Sequence, residues 1–325
     1  MNRACERPAV TVILALHRPS AVLARRQIDS LAGQTGVDLS CVAVLDGSAT
    51  ADDPELRDML TSPRFEIVVN HEAQGVRRAF ATGLRRGLEM AGNAQVFFAY
   101  CDQDDVWHAD KLARCCALAR SRGASLVHCD ARVVAESGAL IAPSLHAYES
   151  RHEASGLLQT LLLNCVTGMT TLFTAATARL ALVLMRGYEG ELLHDHITAV
   201  AAASLGPVVF LDAALADYVQ HQANQLGAKP YRPAFRRRAF GLGHVAAYRQ
   251  TSAAIFRERR KLALLLAREG RLPPLLAALF MAGTKPNKAV LFASYYFATL
   301  SLLFQRQFRR AMLCVRMMDA ALCES

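Results

Sequence analysis

No stretch of this sequence is apolar for long enough to span a bilayer by itself. The longest candidate, residues 289–304, has Ser294, Thr299 and Ser301 within it, and a spanning helix needs roughly 18–20 apolar residues. Cysteine at metal or disulfide spacing is also missing. The nine cysteines are odd in number, include one adjacent pair (Cys115-Cys116) and form no C-x-x-C. That argues against a disulfide framework and a structural zinc site, and it fits reduced thiols in a cytosolic compartment. There is no P-loop, no G-x-S-x-G nucleophile elbow and no repeat at solenoid or propeller period. Gly241, Gly243 and Ala246 satisfy the letters of a dinucleotide fingerprint, but they follow Arg236-Arg237-Arg238 rather than a strand, so the match is discarded. The start lacks a charged-then-apolar signal pattern; residues 9–16 are too short for one and read as a strand. Tryptophan occurs once, at Trp107.

What is present is a globular composition, 53% hydrophobic and 20% charged over 325 residues, enough for one large domain or a domain with an appendage. Its charge is unevenly placed. From Lys229 onward 18 basic residues face 4 acidic ones, whereas residues 1–228 carry 19 basic and 24 acidic. A mildly acidic body of residues 1–228 is therefore expected to carry a basic helical region, 229–325. A tail of that kind is drawn to nucleic acid or to an anionic membrane leaflet.

The body alternates strand and helix patterns. Residues 10–16, 39–45, 65–69, 94–101 and 126–129 read as strands; 22–32, 54–60, 76–90 and 111–121 read as helices. In the helix at 76–90, Ala79, Phe80, Gly83, Leu84 and Leu88 share a face. Such alternation implies an α/β fold with a mostly parallel sheet, in which ligands bind beyond the carboxyl ends of the strands. His17-Arg18, Asp46-Gly47-Ser48 and Asp102–Asp105 each follow a strand pattern, so parallel strands would set all three on one rim. His128-Cys129-Asp130 also closes a strand pattern, but it lacks a second ligand set and reads as structural.

Asp102, Asp104 and Asp105 lie within four residues. Neighbouring carboxylates repel by several kcal/mol at an effective dielectric of about 20. One reading is a hard divalent cation, Mg²⁺ or Mn²⁺, which takes oxygen ligands and completes its shell with water or phosphate. The other is an Asp-rich turn capping the helix that starts near Lys111. Trp107 either packs under that turn or meets a ligand.

Asp102-Gln103-Asp104-Asp105-Val106-Trp107 followed by Lys111-Leu112 resembles the D-Q-D-D-x-W-x-x-x-K-[LI] pattern of glycosyltransferase family 2, in particular its rhamnosyltransferase-like members. The run from Val10 to Leu16 is similar to that family's first strand, and Asp46-Gly47-Ser48 resembles the end of its D-D-G-S turn. Asn70 to Phe80, with Gly75 inside it, resembles N-x-x-x-x-G-x-x-x-N-F. Thr167-Gly168 through Phe173 resembles an acceptor-side T-G-x-x-x-L-F loop. His194-Asp195, then Tyr218, His221, Asn224 and Gly227, resemble the H-D and Y-R-x-H-x-x-N-x-x-G endings. These elements occur in the family's order over residues 9–228.

The resemblance implies a GT-A type (Rossmann-like) fold and transfer of a sugar from a nucleotide-diphosphate donor. It implies that Asp102 lies near the nucleotide ribose, that Asp104 ligates a divalent metal on the diphosphate, and that Asp105 supports from behind or caps a helix. Asp46 is implied in the nucleotide pocket. Leu45 replaces the family's first Asp, and His17-Arg18-Pro19 stands where T-Y-N or S-Y-N is usual; Arg18 either pairs with a phosphate or is an idle surface group. Asp195 matches the general base. His221 matches a histidine that reaches the metal or diphosphate, against the alternative of a solvated loop histidine. Thr167 and Gly168 are implied in an acceptor-facing turn, with Trp107 alongside, or else form a buried structural turn.

In the tail, basic residues Arg257, Arg259, Arg260 and Lys261 precede Leu262, Leu264, Leu265 and Leu266. Residues 289–304 read as an interfacial helix on a lipid surface, or as a helix packed on the body or between subunits. The expectation is an inverting, metal-dependent, cytoplasmic-side glycosyltransferase of surface polysaccharide synthesis, O-antigen for example. Its donor is dTDP-rhamnose by subgroup, with UDP- and GDP-sugars open, and its acceptor is a saccharide or lipid-linked. The competing expectations are a nucleic-acid-binding protein working through the basic tail and a non-catalytic family member that docks a partner.

Overall fold

A computed structural model describes residues 7–151, 153, 156–222, 224, 227–230 and 242–281. They form β1 (Ala9–Leu16), α1 (Ala21–Ala32), β2 (Asp38–Asp46), α2 (Ser48–Ala51), α3 (Pro54–Met59), β3 (Phe65–Asn70), α4 (Val76–Ala91), β4 (Val96–Cys101), β5 (Val106–Trp107), α5 (Lys111–Arg122), β6 (Leu126–Ala135), β7 (Leu140–Ala142), α6 (Leu145–Glu149), α7 (Leu157–Leu162), β8 (Thr171–Thr174), α8 (Ala175–Gly187), α9 (His194–Leu205), β9 (Val208–Gln220), α10 (Leu242–Arg268) and α11 (Pro274–Met281).

One nine-stranded sheet runs β3-β2-β1-β4-β8-β6-β9-β5, with β7 paired to β6. The β3-β2-β1-β4 half is parallel throughout, as the strand–helix alternation requires. The other half is mixed. β8 enters antiparallel between β4 and β6, β6 and β9 are parallel, and β5 and β7 are antiparallel to their neighbours. β1 is apolar apart from Thr11, and β2 is a buried apolar run from Cys41 to Leu45, the expected composition for parallel strands covered on both faces.

The strand expected at 126–129 continues to Ala135. His128, Cys129 and Asp130 therefore lie in mid-strand and do not end it. Asp130 accepts from its neighbour Ala131 N and from His146 N, and Arg132, the one exposed residue, pairs with Asp217 on β9 at 2.6 Å. Local partners thus satisfy the Asp130 carboxylate, whereas His128 Nδ1 is buried without a hydrogen-bond partner.

Helix α4 lies unusually close to the sheet because two of its buried positions are glycines. A Cβ at Gly83 would collide with Ile13 Cγ2 and lie 2.9 Å from Val44 Cγ2; one at Gly87 would lie 3.1 Å from Phe98 and Thr11. Gly87 takes a place on the buried face, and Leu88 is only half-buried. Replacing a mid-helix glycine by alanine gains about 1 kcal/mol of helix propensity, but overpacking a closed core costs about 1–3 kcal/mol. Gly83→Ala should therefore lower stability, by up to about 2 kcal/mol net, in urea unfolding. An unchanged or raised midpoint would show that the helix can back away.

The chain divides into two compact units. The first, built from residues up to 153, 165–186 and from 193 to 230, carries the sheet. The second joins 156–164 and 187–192 to the helices of the basic region. Within it the carboxylate of Glu258 accepts from Tyr188 Oη and from Glu191 N (2.9 Å) and pairs with Lys261 (2.7 Å). Arg260 Nε donates to Phe280 O at 2.9 Å, and Phe256, Leu262 and Leu266 are buried. The leucine-rich stretch after Arg257 thus contributes to a protein core. Among the described residues no helix is long and apolar enough to cross a membrane. The run 289–304 lies outside the described residues.

Candidate active site

Parallel pairing brings the carboxyl ends of β1, β2 and β4 to one edge, with Leu16 beside Leu45 and Leu14 beside Cys101. The three polar clusters meet there. His17 Nδ1 lies 2.7 Å from Asp46 O, and His17 N donates to Gln103 Oε1 at 2.7 Å. The edge opens into a cavity of about 610 Å³ lined by His17, Asp46, Asp102, Asp104, Thr167, Gly168 and Asp195, among others. Sites of roughly 300–1,000 Å³ suit ligands of small-molecule size.

Asp46 lines this cavity, but its carboxylate is engaged by protein. Oδ1 accepts from Asn70 Nδ2 (2.9 Å) and Gln74 N (3.1 Å), and Oδ2 from Gln74 N (3.1 Å) and Gly75 N (3.0 Å). It braces the loop that enters α4, where Gly75 takes φ 82°, a conformation that favours glycine. Leu45, the departure from the family's paired Asp, is fully buried in the core. Arg18 has φ 44° and donates its backbone N to Thr50 Oγ1 (3.0 Å); it is not among the residues lining the cavity.

The aspartates of the acidic turn have different surroundings. Asp102 faces the cavity, and burial together with the charges of Asp104 and Asp195 pushes its carboxyl up to about 7. Asp104 Oδ2 lies 2.7 Å from His221 Nε2, and His221 N donates to Asn224 Oδ1 at 2.5 Å. Asp105 is fully buried, accepts from Val219 N (3.1 Å) and leaves Oδ2 without a partner. Burial and the neighbouring aspartates hold it well above the usual carboxylate range. It tethers β9 and caps no helix, since α5 begins after Asp110 with no side-chain cap.

Trp107, like Arg18 and His221, is an expected site residue that is not among those lining the cavity. It is 3% exposed, with the fully buried Lys111 Nζ 3.2 Å above its ring. Its outer edge borders a separate open groove with Arg26, Asp29 and Asp217. The W-x-x-x-K spacing, which joins the end of β5 to the start of α5, is here a cation–π pair inside the body.

Across the cavity, Thr167 Oγ1 accepts from Arg151 Nη1 at 2.5 Å, which holds the turn at Thr167-Gly168. Asp195 sits in the first turn of α9, where its Oδ1 accepts from His196 N at 2.6 Å. Tyr218 and Asn224 also line the cavity; both belonged to the quoted motif but had been given no role. His194 lines it too, and only its place before Asp195 could have drawn attention to it.

Four aspartates and no lysine or arginine occur among the described lining residues. No lysine or arginine of the described lining is therefore placed to neutralise an anionic ligand in this cavity. Among the described residues no group of three or more His, Cys, Asp or Glu side chains is placed to hold a metal by protein alone. Asp104 and His221 converge as an oxygen and a nitrogen donor, and Mg²⁺ is commonly bound through one or two protein ligands with phosphates completing the shell. The residues present fit an ion shared with substrate and do not fit a closed protein cage.

Residues 11–179, just over half of the chain, match the Glycosyl transferase family 2 profile. No curated protein matches. Among solved structures, the S. aureus TarS 1–349 complex with UDP-GlcNAc is similar, with TM-score 0.53 and 13% identity over 97% of this chain and 92% of that one. A second structure of S. aureus TarS 1–349 gives TM-score 0.52 and 13% identity over 97% of this chain and 91% of that one. At such identity the likeness is one of fold.

Proposed function

The chain belongs to glycosyl transferase family 2, and from that premise we propose that it is an inverting transferase that moves a sugar from a nucleotide-diphosphate donor to a saccharide or lipid-linked acceptor. The observation that carries this reading is the convergence of Asp102, Asp104 and Asp195 on one cavity without a cationic side chain among its described lining.

In this mechanism Asp195 removes the proton of the acceptor hydroxyl as that oxygen attacks the anomeric carbon from the face opposite the diphosphate. The new C–O bond forms as the bond to the diphosphate oxygen breaks, and the nucleoside diphosphate departs with the electron pair. Asp104 and His221 would hold Mg²⁺ or Mn²⁺, whose contribution when bound is to neutralise charge on the leaving diphosphate. Asp102 lies toward the ribose, with His17 and the Asp46-braced loop forming the nucleotide wall. Thr167 and Gly168 border the acceptor side.

The family subgroup favours dTDP-rhamnose. UDP- and GDP-sugars stay in the panel, and UDP-GlcNAc joins it because TarS is described in complex with it. Work on the cytoplasmic face of a membrane, in surface polysaccharide synthesis, fits the same reading. A nucleic-acid role would leave the three converging carboxylates without a purpose.

Thermal unfolding with UDP-GlcNAc, dTDP-rhamnose and GDP-mannose, each with and without Mn²⁺, tests the proposal. At least one donor should raise Tm in the presence of Mn²⁺; a ligand at a hundred times its Kd adds about 2.7 kcal/mol. A Tm indifferent to every donor, with and without metal, would sink it.

A further inference from the structure

His194 is buried at 4% exposure, yet it lines the cavity, and neither ring nitrogen has a hydrogen-bond partner. Its ring lies between aromatics, stacked on Phe80 at 3.9 Å between centroids and edge-on to Tyr100 at 4.8 Å. Tyr100 stands on β4 two residues before Asp102, so the imidazole is at the floor of the cavity beneath the acidic turn and beside Asp195. Space has been kept for it: a Cβ at Gly168 would lie 2.6 Å from Nε2.

Buried polar side chains almost always have partners, and an orphaned one is costly to the fold. A histidine with both nitrogens idle on a cavity wall therefore calls for a ligand. Burial pushes the ring down to about 3, so it is neutral at ordinary pH and offers one N–H donor and one lone pair. A sugar hydroxyl, which both donates and accepts, complements that pair; a carboxylate, which only accepts, does not. The surrounding wall adds Val76, Ala79, Gly168 and Leu193, with no cationic side chain among the described lining residues.

Resting on the transferase reading above, we propose that His194 binds a hydroxyl of the transferred sugar and that this sugar is neutral, not a uronic acid. The floor position favours the donor's sugar over the acceptor, which must arrive from solvent.

The test compares sugar-bearing and sugar-free ligands by calorimetry with Mn²⁺ present. His194→Phe keeps the stack on Phe80 and removes both nitrogens; His194→Gln restores a donor and an acceptor. Affinity for UDP or dTDP should stay within about twofold in both variants. Affinity for whichever of UDP-GlcNAc, UDP-glucose and dTDP-rhamnose binds the native protein should fall about three- to tenfold in His194→Phe, one hydrogen bond's worth, and recover in part in His194→Gln. UDP-glucuronate should bind the native protein more weakly than UDP-glucose.

Equal losses for diphosphate and nucleotide sugar would mean a structural role only and overturn the assignment. So would unchanged nucleotide-sugar affinity, including the case in which transfer alone slows, which would move the hydroxyl to the acceptor. Tighter binding of UDP-glucuronate would overturn the neutral-sugar clause. A native protein that binds no diphosphate and no nucleotide sugar would defeat the transferase reading itself, and this assignment with it.

Discussion

Asp195→Asn should slow sugar transfer by about a hundredfold to ten-thousandfold, the usual contribution of a general base, while donor binding survives. The variant is nearly isosteric, and its amide oxygen can still accept from His196 N as the carboxylate does now at 2.6 Å. The start of α9 should therefore keep its geometry, and unfolding should report a stability close to native. What is lost is the charge that takes the hydroxyl proton. A second consequence separates this loss from general damage. The Asp195 charge is among the causes that raise Asp102, so the variant should let Asp102 ionise at lower pH. Donor affinity with Mn²⁺, measured near pH 6, should then be equal to or tighter than native. Transfer within tenfold of native would remove Asp195 from the base role; joint loss of transfer and donor affinity would make it a binding residue.

The site half of the fold was legible because its chemistry and its topology coincide in the sequence. The largely apolar runs at β1, β2 and β4, alternating with helices, read as covered parallel strands, and a polar cluster following each then falls on one edge. Beyond β4 that logic fails. β8 is four residues long and runs antiparallel between β4 and β6, and nothing local in Thr171–Thr174 specifies such an insertion. Long-range pairing fixes it. β6 reads short because His128-Cys129-Asp130 has the look of a strand end, when Asp130 finds its partner on another element, accepting from His146 N. Side-chain direction was the other unreadable quantity. Spacing could not tell that Asp102 and Asp104 face the cavity while Asp105 turns inward to Val219 N, nor that Trp107 lies beneath Lys111. Asp46 was found at the rim as expected, but its carboxylate braces the loop before α4, a role visible only once Gln74 and Gly75 are in place. His194 gave no separable signal, since a histidine beside a catalytic aspartate reads the same whether it is core or ligand.

Asp104→Asn tests the electrostatic basis of the whole site. Substituting even an outer-shell partner of a metal typically costs 10–100-fold in metal affinity, so loss of a direct ligand should weaken Mn²⁺ binding to the UDP-loaded protein by at least about a hundredfold. Calorimetry or Mn²⁺ spectroscopy can read this without any turnover. His221, now 2.7 Å from Asp104, would then face a neutral amide there, and His221→Ala should give a smaller loss in the same direction. The rival reading, an aspartate serving only to shape the turn, expects weakened folding with Mn²⁺ affinity unchanged. The pH dependence distinguishes the two further. Asp102 is held up to about 7 by burial and by the charges of Asp104 and Asp195, so below that pH a cation must compete with its proton. Native Mn²⁺ affinity should therefore rise with pH and level off above about 7, with up to about a tenfold change per unit below it. In Asp104→Asn one of the two raising charges is gone, so this step should move to lower pH. A native affinity flat between pH 5.5 and 8 would mean that no cation sits beside Asp102.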